Sequence, residues 1–284
     1  MKKWLKQKYR ELPIVRELRE IQVSISQSKM VHINSFFQSE LATAKYKDPK
    51  KLNHYERQVF SQNGEDGIIN EIFRRIGVKS RHFVEFGVGN GLENNTAFLF
   101  GQGWRGSWIE GDASLAREIQ SKLGGYLKKG GLNFLNSFIT AENIESLFKQ
   151  MDVPVEFDLL SLDIDRNTYH VWKALKAFKP RVVVVEYNAI FPSSVKWIAK
   201  YDAARVWNMT SYWGASLKAY EELGEELGYA LVGCDFSGTN AFFVKRSEDL
   251  EMFSKPFTAE NHHEPPRYWS GRREAHDRCL DDSQ

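Results

Sequence analysis

From Arg81 onward, short apolar runs alternate with longer stretches whose apolar residues recur at helical spacing. The runs that read as strands are HFVEFGV, GSWIEGD, NFLNSFI, FDLLSLDID, RVVVVEYN, YALVGCD and NAFFVKR. Strand and helix in strict alternation predict βαβ units and a parallel sheet. The last two runs are separated only by FSGT, too short for a crossover helix, so they pair as an antiparallel hairpin. The pattern therefore predicts an α/β fold, a doubly wound Rossmann-like seven-stranded sheet, mostly parallel with an antiparallel C-terminal hairpin. Ahead of the first strand, SQNGEDGIINEIFRRIG carries the cap-type residues Ser61 and Asn63. Glu65 and Asp66 then suit a helix start, and Ile68, Ile69, Ile72, Phe73 and Ile76 form one apolar face before Gly77.

The first fifty-odd residues read as helices with a break at Lys47-Asp48-Pro49, which gives three segments. These are an N-terminal helical extension (1–58), the α/β domain (59–250) and a C-terminal strap or tail (251–284). The N-terminus mixes Lys2, Lys3, Lys6, Lys8 and Arg10 with Trp4, Leu5 and Tyr9, without an apolar run long enough for a signal peptide or a membrane span. Two readings stand for it: a basic amphipathic helix in peripheral contact with an anionic membrane, or a solvated arm or contact within a homo-oligomer.

Composition narrows the function classes. The 284 residues are 42% apolar, enough for a sizeable core, and 39 Lys and Arg nearly balance 37 Asp and Glu. A net charge of +2 lacks the basic footprint of a nucleic-acid binder. Cys234 and Cys279 stand far apart with no CxxC partner, which points to neither a disulfide framework nor a thiolate metal site and suits a cytoplasmic setting.

Open α/β sheets bind ligands at the carboxyl ends of their strands. Those ends carry Glu85 to Gly91, Glu110 to Asp112, Asn136 to Phe138, Asp163 to Asp165, and Glu186 to Asn188. Gly87, Gly89 and Gly91 make a turn where backbone can approach a ligand closely, or one that is purely structural. The dinucleotide fingerprint wants its third glycine or alanine five residues after the first, and Leu92 stands there. A carboxylate at Glu85 repels a diphosphate but accepts hydrogen bonds from an ammonium, and Glu110 is placed to accept from ribose hydroxyls.

With these residues in place, the chain resembles the class I S-adenosylmethionine-dependent methyltransferases, through an E/DxGxGxG loop at Glu85, Gly87, Gly89 and Gly91 and the final hairpin. The likeness spans roughly residues 60 to 246. More narrowly, SQNGEDGII, FVEFGVGNGLENNT, GSWIEGD, LLSLDIDRNTYHVWKAL, PRVVVVEYN, GASL and GTNAFFVK resemble the bacterial FkbM-type group, linked to O-methylation of sugars and polyketides. The resemblance implies that Glu85 and the loop Gly87 to Gly91 hold the methionine part of S-adenosylmethionine. Glu110 takes the ribose with help from Asp112, Asn136 and Ser137 flank the adenine, Asp163 joins the cofactor site, and Gln62 and Asn63 close over the cofactor or cap a helix. The implied acceptor is a small molecule, a sugar, glycan precursor or natural product.

An acceptor hydroxyl needs a base or a metal. Alternation places Asp163 and Asp165 on one face if the fourth strand continues that far, and Glu186 ends the next strand, an oxygen-rich set suited to Mg²⁺ or a similar divalent cation. Metal-dependent O-methyltransferases resemble this region in two alignments. One puts Asp163 at a ligand position and Arg166 where a catalytic lysine stands, the other puts Asp165 there; Tyr187 departs from the next acidic or amide ligand. The metal-free version uses Asp165 or His170 as base, and Arg166 offers a contact for an anionic acceptor.

The stretch from Asn188 to Leu217 is expected to wall the acceptor pocket, with Trp197, Tyr201, Trp207, Tyr212 and Trp213 packing or lining it. His262, His263 and Glu264 lack the spaced second pair of a metal site. Two other functions remain open at this point: a noncatalytic nucleotide-binding or scaffolding protein of the same fold, and an NAD-dependent oxidoreductase.

Overall fold

In the computed structural model of the chain, residues 12–270 and Arg278 are described. They fall into two compact units that divide between Lys47 and Asp48. The first holds α1 (Pro13–Leu41), with proline at its first position, and a short 3-10 turn at Ala44–Tyr46. No side chain of α1 is buried, and Ile14, Leu18, Ile21 and Ile25 are exposed. The basic segment 1–11 and Cys279 lie outside the described residues. No described helix is long and apolar enough to cross a membrane.

The second unit carries a sheet of seven strands: β1 (His82–Phe86), β2 (Arg105–Glu110), β3 (Leu132–Asn136), β4 (Glu156–Leu162), β5 (Lys179–Glu186), β6 (Tyr229–Cys234) and β7 (Asn240–Lys245). Their spatial order is β3-β2-β1-β4-β5-β7-β6. All neighbours through β5 are parallel, and β7 runs antiparallel to both β5 and β6. The doubly wound Rossmann-like fold with its closing hairpin is thus observed directly. Strand order reverses at β1, which pairs with β2 on one side and β4 on the other, and that switch point opens a crevice at the carboxyl ends.

Helices cover both faces: α2 (Glu65–Ile76), α3 (Ala97–Gly101), α4 (Ala113–Lys129), α5 (Ile144–Gln150), α6 (Thr168–Ala174), α7 (Leu217–Leu227) and α8 (Ala259–His262). Residue alternation divides each strand between two cores. Val182 and Val184 of β5 join Phe83, Trp108 and the apolar face of α2, whereas Val183 and Val185 join Phe86, Trp172 and α7. The unbroken VVVV run is therefore what a strand buried on both faces requires.

Two boundaries differ from the sequence expectation. The unit begins at Asp48 and not near residue 59, because the 3-10 turn Leu52–Tyr55 is built into the core: Leu52 is buried and Asn53 donates to the Cys234 carbonyl at 3.0 Å. At the other end, residues 251–270 belong to the same unit. The Tyr187 hydroxyl donates to the Glu264 carbonyl at 2.8 Å, and Arg267 pairs with Glu264 and covers the Phe236 ring.

Candidate functional site

The loop after β1 is shaped by Glu85. Its carboxylate is buried and accepts from Asn94 Nδ2 (2.6 Å), Asn95 N (2.8 Å), Thr96 N and Oγ1 (3.0 and 2.5 Å) and Ser161 Oγ (3.0 Å). Trp108 Nε1 donates in turn to Thr96 Oγ1 at 2.8 Å. Burial pushes the Glu85 carboxyl up, and these donors pull it back. The Asn-rich segment is thereby folded over the strand end, with the glycines at positive φ between: Gly87 +67°, Gly89 +58°, Gly91 +80°. Gly87 is obligatory, since a Cβ there would stand 1.7 Å from the Asp163 carbonyl oxygen.

Two cavities open at the carboxyl ends. The glycine-loop cavity, about 230 Å³, is lined by Gln62, Asn63, Glu65, Glu85, Glu93, Asn94, Asn95, Glu118, Asp163 and Asn240 among others, with no Lys, Arg or His among the described residues. The strand-end cavity, about 350 Å³, runs from Glu110, Asp112, Ser137 and Phe138 to Asp163, Asp165, Asn167, Arg205 and Val206. Gly87 and Asp163 line both. Glu110 accepts from Gly89 N (2.9 Å) and Asp112 N (2.8 Å), which ties the end of β2 to the glycine loop. Asp112 caps α4, taking Ser114 N, Ser114 Oγ and Leu115 N on one oxygen. Asn136 donates to the Glu110 carbonyl, and Ser137, not Asn136, lines the cavity.

Among the described residues, one acidic cluster is compact enough for a metal: Asp163, Asp165 and Glu186, each offering an oxygen within 4.8 Å of the others. They meet by a route different from strand alternation. β4 ends at Leu162, and Asp165 turns the chain at φ +52° into a 3-10 turn, a left-handed conformation that Asp tolerates better than most residues. Asp163 and Glu186 stand side by side in this cluster. Depth in the molecule, then the charges of Asp165 and Glu85, push the Asp163 carboxyl up to about 7. Its side chain is nonetheless open to both cavities, and cavity water screens part of that rise. Burial and the Asp163 charge raise Glu186 well above the carboxylate range, and burial raises Asp165. Glu186 Oε2 and Asn167 Oδ1 are buried without a hydrogen-bond partner, acceptors that want a donor or a cation.

Several expected residues stand elsewhere. His170 lies on α6 with Nε2 2.8 Å from the Ala199 carbonyl and its ring beside Tyr201. It is not among the residues lining either cavity; its ring anchors the segment between β5 and α7. Arg166 is buried, its guanidinium over the Tyr212 ring and near the Lys200 and Tyr212 carbonyls, and it pins that segment instead of facing an acceptor. Tyr187 points to Glu264, away from the acids, and Asn188 Nδ2 holds the Ser211 and Trp213 carbonyls. The 188–217 segment contributes to the strand-end cavity as expected, and its rings are not among the lining residues. Arg205 and Val206 line the cavity, while Trp197 stacks on Phe191 and Trp213 is buried. The cap of α2 is Gly64, not Ser61 or Asn63. Asn63 bonds Glu65, and Ser61 Oγ accepts from Asp66 N.

Sequence reasoning missed Glu65, Asn94, Asn167 and Asn240 as cavity residues. Glu65 reads locally as a helix-start acid, but Asn63 and Asn240 fix its carboxylate at the cavity wall. Asn240 starts β7, and only the hairpin brings it across.

No family model and no curated protein matches this chain. Among solved structures it is similar to an O-methyltransferase from Bacillus cereus in complex with SAH, at 14% identity over 77% of this chain and 91% of that one, with a TM-score of 0.41. It is similar also to the N-terminal domain of EvdMO1 with SAH bound (11% identity, 67% and 81% covered, 0.41). A third likeness is to a SAM-dependent methyltransferase from Aquifex aeolicus (10%, 62% and 87%, 0.35). At these scores the likenesses are distant, and the fold assignment rests on strand order and pairing.

Proposed function

We propose that this chain binds S-adenosylmethionine and transfers its methyl group to an oxygen of a small molecule of the sugar, glycan-precursor or natural-product class, as an FkbM-type O-methyltransferase. The observation that carries this reading is Asp163, which stands where the two cavities join. A cofactor laid across that junction puts its ribose near Glu110, its amino-acid end among the acids of the glycine loop, and its sulfonium beside the Asp163 cluster. Negative walls favour a cationic cofactor and repel a pyrophosphate, which weighs against a dinucleotide.

In methyl transfer the acceptor oxygen forms a bond to the methyl carbon as the carbon–sulfur bond breaks, and the hydroxyl proton must leave. Asp165, or the Asp163–Glu186 pair in its ionised form, receives that proton. A carboxyl held near neutrality suits a general base better than one at its ordinary value. The three carboxylates with the unpartnered Glu186 Oε2 also fit a hard divalent cation such as Mg²⁺. That ion, when bound, lowers the pKa of a coordinated hydroxyl.

Isothermal titration tests the reading. S-adenosylmethionine and S-adenosylhomocysteine should bind with micromolar or tighter affinity, and a chain that binds neither is not a methyltransferase. A Mg²⁺-dependent rise in melting temperature that disappears in Asp163→Asn assigns the cation. No Mg²⁺ effect, together with activity intact in EDTA, removes it.

A further inference from the structure

The glycine-loop cavity is walled by five carboxylates, yet an amino-acid cofactor brings a carboxylate of its own, which a cation holds more strongly than a neutral donor does. Among the described residues, Lys122 and Arg278 each pair with a lining acid. Lys122 meets Glu118 at 2.6 Å one turn along α4, with side chains 41% and 40% exposed, a surface pair of small consequence. Arg278 differs. Its Nη1 lies 3.3 Å from Glu93 Oε1, its Nη2 donates to the Ser61 carbonyl at 3.1 Å, and its side chain is only 11% exposed. Ser61 directly precedes Gln62 and Asn63, so one guanidinium, outside the lining itself, contacts both the segment before α2 and the glycine-loop segment, which line the same cavity.

We infer that Arg278 is a cofactor-binding residue, supplying at the rim of the glycine-loop cavity the cation that receives the α-carboxylate of S-adenosylmethionine. This rests on the cofactor reading above. A guanidinium presents its N–H donors in a plane and holds carboxylates in paired bonds. Glu93 and Ser61 set its position before the ligand arrives, and the ligand carboxylate then shares the fork with Glu93. The acidic cavity thereby gains a positive charge for a zwitterionic end, with the ammonium left to the carboxylates and to Asn94, whose Oδ1 is buried without a partner.

The test is calorimetric titration of the full chain with S-adenosylhomocysteine and with 5′-methylthioadenosine, which has the nucleoside and sulfur but no amino-acid end. Arg278→Gln should weaken the first by roughly ten- to hundredfold, the range of a charged hydrogen-bonded contact, and leave the second unchanged. Arg278→Lys should recover part of the loss. Equal weakening of both ligands would mean that Arg278 only packs the tail, and unchanged binding of the first would mean that it does not touch the carboxylate; either overturns the inference alone. A wild-type chain that binds neither ligand overturns the cofactor reading and this inference with it. Should Arg278→Gln fold poorly, the same comparison of the two ligands is made with Arg278→Lys.

Discussion

Gly87 and Gly89 sit two residues apart at almost the same positive φ, +67° and +58°, and alanine at each should have very different consequences. At Gly89 an added Cβ meets nothing within 4 Å, so the cost is that of a left-handed alanine, ~1–2 kcal/mol. At Gly87 the same Cβ would lie 1.7 Å from the Asp163 carbonyl oxygen. Carbon and oxygen settle near ~3.3 Å, so roughly 1.5 Å must be found by moving the end of β1 away from the end of β4. Both strands are central and packed on two faces, and the total cost should reach ~3 kcal/mol or more. For a domain of this size that corresponds to a melting temperature ~6–12 °C lower, against ~2–8 °C for Gly89→Ala. The displacement also carries Asp163 away from Glu186 and the cavity junction, so S-adenosylhomocysteine should bind about tenfold or more weaker in Gly87→Ala. Thermal melts by circular dichroism and calorimetric titration of both variants check this. Equal melting temperatures and equal affinities would show that β1 and β4 do not approach as closely as described and that the junction is not where the cofactor lies.

Three further outcomes are expected. Asp163, pushed up toward about 7, ionises as pH rises toward that value, so S-adenosylmethionine, with its sulfonium, should gain affinity relative to the uncharged thioether of S-adenosylhomocysteine as pH rises from about 5 to about 8; a flat ratio refutes the titration. Because the folded value lies above the ordinary 3.8, the contribution of Asp163 to stability is fullest below that value and declines as pH rises toward 7. The melting temperature of the ligand-free chain relative to Asp163→Asn should therefore fall between about pH 4 and 7 and level off above. Arg181→Met should cost ~3–5 kcal/mol, because Arg181 pairs at 2.7 Å with the fully buried Asp158 and at 2.8 Å with Glu248, and removing it strands a buried charge. A loss under ~1 kcal/mol in urea unfolding would refute that.

The sheet was legible because each strand had to satisfy a local rule. VVVV is buried on both faces, FSGT is too short for a crossover, and neither requirement depends on distant residues. Glu85, Gly87, Glu110 and Asp163 were legible for a related reason: strand ends are set by the same periodicity, and an open α/β sheet puts its crevice there. His170 and Arg166 were misplaced because adjacency in sequence to Asp165 says nothing of direction. One turn of 3-10 helix at Asp165–Asn167 sends both side chains toward the 188–216 segment.

Sequence by itself thus determined the alternation of elements, the antiparallel close of the sheet and the chemistry available at each strand end, all of which follow from short-range periodicity and loop length. Only the tertiary structure decided which of those groups share a site. Glu186 joins Asp163 and Asp165 across a strand pair, Asn240 reaches Glu65 across the hairpin, and Arg278 reaches Glu93 from the far end of the chain. Their separations along the chain carry no spacing rule, and it is burial that raises the Asp163, Asp165 and Glu186 carboxyls.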